Sequence, residues 1–118
     1  MAFAYAELET GDIYRAFREL WIYFETLLND IESQNGMTDT ASARLKRLKE
    51  RTSAGLLRVS RNDYNQGWDD LHHVRRVANA AKHDARSVSN EFPETRRTAR
   101  ERFDRVVPFM KKLHRYAR

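Results

Sequence analysis

Residues 71–88 read LHHVRRVANAAKHDARSV. At about 100° per residue, Leu71, Val74, Val77, Ala78, Ala81, Ala85 and Val88 fall on one apolar face, and His72, Arg76, Asn79, Ala80 and His83 cluster opposite. The stretch therefore predicts an amphipathic helix. Its apolar side needs only a core, whereas its polar side stacks a guanidinium, an amide and an imidazole at spacings of three and four.

Working outward, the same helix begins near Asp63 and takes Tyr64, Trp68 and Leu71 onto its core side, with Arg61-Asn62-Asp63 supplying a turn and a cap. Upstream, Ile13, Phe17, Leu20, Trp21, Phe24, Leu28 and Ile31 define a helix from about Thr10 to Gln34, capped by Thr10 or Asp12 and stopped at Asn35-Gly36. Capping chemistry at Thr38-Asp39-Thr40 opens a second helix through Leu45 and Leu48. Gly55 interrupts it, and Leu56, Leu57 and Val59 extend a bent helix to about Ser60. Downstream, Ser89-Asn90-Glu91 reads as a loop and Pro93 suits the first position of a fourth helix. Along that helix Ala99, Phe103, Val106, Met110, Leu113 and Ala117 recur at steps of three and four, and Pro108 predicts a kink through a clash with the carbonyl of Asp104. Short connections between helices of roughly 20 residues favour antiparallel neighbours. The expected fold is all-α: one domain over residues 1–118, an up-and-down antiparallel four-helix bundle with its fourth helix kinked at Pro108.

Composition agrees with that picture. The 118 residues include only four glycines and two prolines, and no cysteine, which excludes disulfides, thiolate catalysis and Cys-ligated zinc from this chain. No apolar run approaches the roughly 20 residues needed to span a bilayer. The start, MAFAYAELETGD, has no basic region ahead of an apolar stretch, so no secretory signal and a cytoplasmic location are expected. The net charge of +5 is unevenly placed: residues 1–35 hold seven acidic groups against Arg15 and Arg18, a balance of −5, so the remainder carries +10. Seventeen of the 22 basic residues are arginine, whose planar fork grips phosphate in a bidentate way. A polyanionic partner and an ordinary solvated helix surface explain this equally well.

Arg76 and His83 lie nearly two helical turns apart on one face, about 10 Å along the axis. A long arginine and a shorter histidine can converge on one phosphate from those positions. Asn79 between them can hydrogen-bond the phosphate or fix the imidazole tautomer, and His72 extends the stripe by one turn. An imidazole moves protons near neutral pH, and a guanidinium stabilises charge developing on phosphate oxygens. Together they outline metal-independent phosphodiester cleavage. An exposed polar face, or side chains that satisfy one another against a neighbouring helix, would account for the same residues without chemistry.

Arg76, the six residues VANAAK and His83, with Asn79 and the pair Lys82-His83, resemble the signature of the HEPN superfamily, small helical bundles marked by an Arg, four to six residues, then His. The polar residue common directly after that Arg in the family is here Val77. The resemblance implies a homodimer with the motif helices facing each other and an RNA-cleaving cleft at the interface. Arg76 and His83 would be the catalytic pair, with Asn79 in support and His72, Arg75 and Lys82 as substrate contacts. His83 would serve as general acid or base while a ribose 2′-hydroxyl attacks the adjacent phosphate, which makes RNA the substrate. No cofactor or metal is implied. Proteins of this kind often act as toxins or defence ribonucleases, with an antitoxin or nucleotidyltransferase partner.

The remaining constellations are weaker. His72 and His73 diverge by about 100° and cannot share a ligand. Asp69, Asp70 and Asp84 can join His73 in a surface cluster but have no metal-ligand spacing. The Lys-Gly step that follows the histidine of phosphotransfer bundles does not follow His83. Tyr64 and Trp68 are expected to be core or interface anchors rather than base-stacking platforms. The run Arg96-Arg97, Arg100, Arg102, Arg105 is either an RNA-binding stripe or a face bridged to the acidic first helix. Two function classes stay open: a HEPN-like RNA endonuclease, and a non-catalytic helical module that binds nucleic acid or a protein partner.

Overall fold

Asp12 decides where the first long helix begins. Its carboxylate accepts the Tyr14 N–H at 2.9 Å, so the helix starts at Ile13 and Thr10 belongs to a separate helix before it. The computed structural model describes residues 1–32, 40–53 and 59–117, and every element in them is helical. These are α1 (Ala2–Thr10), α2 (Ile13–Ile31), α3 (Ala41–Thr52), α4 (Arg61–His83), α5 (Val88–Glu91) and α6 (Arg96–Ala117). The expected stop at Asn35-Gly36 and the bent continuation through Gly55, Leu56 and Leu57 lie outside the described residues. None of the helices found is long and apolar enough to cross a membrane, among the described residues.

Four long helices match the expected ones with shifted ends, and two elements were not expected. The segment that became α1 lacks helical amphipathicity of its own but buries Ala4 and Leu8 against α2 and α6. Arg96 holds its end, donating to the carbonyls of Leu8 at 2.6 Å and Gly11 at 2.7 Å, acceptors that a helix terminus leaves unsatisfied. Thr40 caps α3 through Ala43, as its sequence suggests. Ser60, rather than Asp63, caps α4. That helix stops at His83 because Asp84 turns away, its carboxylate accepting from the backbone N–H groups of Arg86 and Ser87 and from the Ser87 hydroxyl. Ala85 is consequently exposed, and Val88 reaches the core from the single-turn α5 that replaces the expected loop. The last helix starts at Arg96 rather than Pro93 and runs unbroken through Pro108.

Phe17, Leu20 and Phe24 of α2, Leu71 and Val74 of α4, and Phe103, Met110 and Leu113 of α6 are fully buried together. Phe17 meets Phe103 edge to face at 5.1 Å between centroids, a favoured aromatic geometry. Helices α2 and α4 share the most extensive packing, and α6 closes over both. On the side of α4 opposite its core stripe, Arg76, Asn79 and His83 are exposed.

Two polar clasps lock the frame. Asp70 of α4 is fully buried and accepts from Arg102 at 3.0 Å, from Arg105 at 3.0 and 3.1 Å, and from Gln66 at 3.1 Å. A carboxylate in such a place must be paired, since an isolated buried charge costs several kcal/mol. At the other end, buried Arg44 of α3 reaches Glu32 at 3.1 Å and Asn29 at 2.8 Å, while Arg47 bonds the same carboxylate at 2.9 Å.

Candidate functional site

The outward face of α4 carries the sequence-derived site residues. Arg76, Asn79 and His83 are all exposed, and none of their side chains makes a hydrogen bond or ion pair with another described residue. They are neither buried nor bridged to the acidic N-terminal helices, so mutual satisfaction against a neighbouring helix does not explain them. Helical geometry sets Arg76 and His83 on one row with Asn79 between them. Among the described residues only Asn79 of that row borders a cavity, the one it shares with Arg75 and Lys82. Val77, the next position after Arg76, is fully buried, so a polar residue there would be desolvated in the core.

His72 is half-buried beside Trp68, the ring centroids 6.1 Å apart, and Lys49 lies 5.7 Å over the same indole. Burial of the ring, then the positive charges of Arg75, Arg76 and Lys49, hold its pKa below the ordinary imidazole value against the opposing pull of Asp69. His72 is therefore a neutral hydrogen-bonding group near pH 7 rather than a cation for phosphate. Trp68 itself is buried edge-on to Phe109 at 5.6 Å, a core residue, and Tyr64 packs partly buried against the same cluster.

Arg75 and Lys82 turn the other way, toward α2 and the start of α3. With Trp21, Glu25, Ser42 and Asn79 they line a cavity of about 300 Å³. The Arg75 Nε is buried without a hydrogen-bond partner. Neither Arg75, Lys82 nor Glu25 forms an ion pair with any described residue, although all three border one space.

His73 departs from expectation. Its Nε2 lies 2.6 Å from Glu94, its ring is packed edge-on against Phe17 and Phe92, and of the aspartates anticipated around it Asp70 bonds Arg102 and Arg105 and Asp84 bonds Arg86 and Ser87. Burial pushes the Glu94 carboxyl up, but the hydrogen bonds from His73 and Thr98 outweigh it and hold the group below its ordinary value. Glu94 carries no sequence signal beyond its place in a loop beside a proline, so its pairing with a residue 21 positions away is visible only in three dimensions.

Most arginines of the Arg96–Arg105 run bond within the fold, but to α1, α4 and α6 rather than to the long acidic helix α2. Arg96 holds the end of α1, Arg100 pairs with Glu9 and Asp104, and Arg102 and Arg105 hold Asp70. Arg97 alone among the five is left with only a one-turn partner, Glu101. Among the described residues no group of three or more His, Asp or Glu is placed to hold a metal ion. No protein-family model, curated protein or solved structure matches this chain.

Proposed function

We propose that this chain is a metal-independent RNA endonuclease of the HEPN type, with Arg76 and His83 as its catalytic pair and Asn79 as a positioning residue. The observation that carries the reading is the unpaired outer face of α4. A guanidinium, an amide and an imidazole stand exposed in one row with no partner among the described residues, while most of the α6 arginines are consumed by internal carboxylates and carbonyls. Buried polar groups that serve the fold are mostly found bonded, as Asp70 is.

In this mechanism the ribose 2′-oxygen bonds to the adjacent phosphorus and the bond to the 5′-oxygen breaks. His83 removes the 2′-hydroxyl proton or delivers one to the leaving 5′-oxygen, and two copies supply both roles. Arg76 stabilises the extra charge on the non-bridging oxygens. The products are a 2′,3′-cyclic phosphate and a 5′-hydroxyl. The reading includes a bundle of the four longer helices, paired as a homodimer through the exposed α4 face, and a cytoplasmic toxin or defence role with an antitoxin or nucleotidyltransferase partner.

The test is cleavage of generic RNA by the purified protein in EDTA, alongside His83→Ala and Arg76→Ala. Cyclic phosphate ends that disappear in both variants support the nuclease. Equal activity in the wild type and both variants removes it and leaves a helical module that binds nucleic acid or protein.

A further inference from the structure

We propose that the cavity between α2, the start of α3 and α4 is a guanine-nucleotide site, its phosphate held by Arg75 and Lys82 and its base read by Glu25 against Trp21. Charges of opposite sign share this space without meeting. Arg75, Lys82 and Glu25 all line the cavity, yet no ion pair joins the carboxylate to either cation. Opposite charges held apart in one concave site suit a ligand with an anionic end and a donor-rich end.

Each end has its chemistry. Arg75 brings a guanidinium, and Lys82, nearly two turns and about 10 Å further along α4, brings an ammonium. Arg favours phosphate through paired N–H donors and Lys through point charge. The first-turn N–H groups at Ala41 and Ser42, which border the same space, have no acceptor within α3 and add positive potential. At the other end, a carboxylate accepts two parallel N–H bonds. Guanine alone among the common bases offers two adjacent donors, N1–H and the 2-amino group, on its pairing edge. Trp21 supplies the aromatic surface on which a base stacks. The cavity volume of about 300 Å³ stands at the lower end of ligand pockets and accommodates a mononucleotide.

Position connects the cavity to the outer face. Arg75 and Lys82 form a row on α4 adjacent to the row of Arg76 and His83, and Asn79 borders both. A nucleotide of an RNA strand seated in the cavity would place its neighbouring phosphate toward the Arg76–His83 row, so cleavage would fall beside guanosine. That last step rests on the nuclease reading; the binding of the nucleotide does not.

The experiment is calorimetric titration of the full chain carrying His83→Ala with 5′-GMP, AMP, CMP, UMP, guanosine and inorganic phosphate. GMP is expected to bind at least roughly tenfold tighter than each of the others, the discrimination of one charge-assisted hydrogen-bond pair. Adding Glu25→Gln should erase the preference among the four nucleotides, and adding Arg75→Ala together with Lys82→Ala should bring GMP close to the level of guanosine, with circular dichroism confirming that each variant is folded. Equal affinity for all four nucleotides, phosphate binding as tight as GMP, or no binding at millimolar GMP overturns the proposal. GMP binding by a chain whose wild type cuts no RNA sinks the nuclease and keeps the site. RNA cleavage with no GMP binding and no preference for guanosine does the reverse.

Discussion

Among single residues, the sharpest energetic asymmetry is at Asp70. Its carboxylate is wholly buried, whereas the side chains of its partners Arg102 and Arg105 keep 25% and 46% of their exposure. Removing both arginines strands a buried charge, for which a cost of about 3–5 kcal/mol is expected. Asp70→Asn leaves two guanidinium groups that water still reaches and should cost only about 1–2 kcal/mol. Urea unfolding of Arg102→Ala/Arg105→Ala beside Asp70→Asn checks the ordering, and equal costs would mean the carboxylate is better hydrated than its burial indicates. Glu94 gives a second prediction, in pH. Its folded pKa is lowered from 4.5, so its contribution is present above that value and is lost as pH falls through the folded pKa. Glu32, held low by the hydrogen bond from Arg47 against burial and with help from Arg44, acts in the same direction. Glu94→Gln should therefore flatten the loss of stability below about pH 4.5 while Glu32 still titrates; an unchanged acid profile would refute the assignment.

For the helices, the question is which contacts fix their spacing. Gly67 lies in the middle of α4, where alanine would ordinarily stabilise a helix by about 1 kcal/mol. Here an added Cβ would come within 2.5 Å of the Phe109 ring, and that ring is held by Trp68 at 5.6 Å and Tyr64 at 6.5 Å. Overpacking should outweigh the propensity gain, so Gly67→Ala is expected to lower stability by about 1–2 kcal/mol, with Phe109→Leu in the same chain recovering part of it. A stabilising Gly67→Ala would show that α4 and α6 separate freely. The glycine was silent in the sequence because its meaning depends on a residue 42 positions away. Periodicity did reveal the cores of α2, α4 and α6, since an apolar stripe is a local signal. It ran past the end of α4 because Ala85 and Val88 continue the stripe, while the stop comes from the Asp84 carboxylate binding three groups just downstream. It missed α1, whose alternating small and aromatic residues are ordered by Arg96 from the far end of the chain. The row of Arg76, Asn79 and His83 was legible for the same reason as the stripe. The cavity was not, because Trp21, Glu25 and Ser42 come from two other helices and meet Arg75 and Lys82 only through tertiary packing.

Across the whole molecule, the charge imbalance reads differently once the ion pairs are known. The basic excess of residues 36–118 looks in sequence like a broad polyanion surface, yet Arg44, Arg96, Arg100, Arg102 and Arg105 are committed to carboxylates, an amide or carbonyls within the fold. Cations with no such commitment include Arg75, Arg76 and Lys82 on α4 and Lys111, Lys112 and Arg115 in the last turns of α6, so a phosphate chain should be gripped along α4 or that end of α6 rather than along the Arg96–Arg105 stretch. Salt dependence separates the two surfaces, because each phosphate contact on a single strand contributes about 0.7 to the slope of log affinity against log salt. With the His83→Ala chain and a short single-stranded RNA, Arg76→Gln and Lys82→Gln should each reduce the slope by about that amount in every copy that contacts the strand. Arg97→Gln, an exposed α6 residue with only a one-turn partner, should leave the slope unchanged. A slope that falls with Arg97 and ignores Arg76 and Lys82 would move the nucleic-acid surface to α6. The exposed row on α4 would then need another partner to explain it.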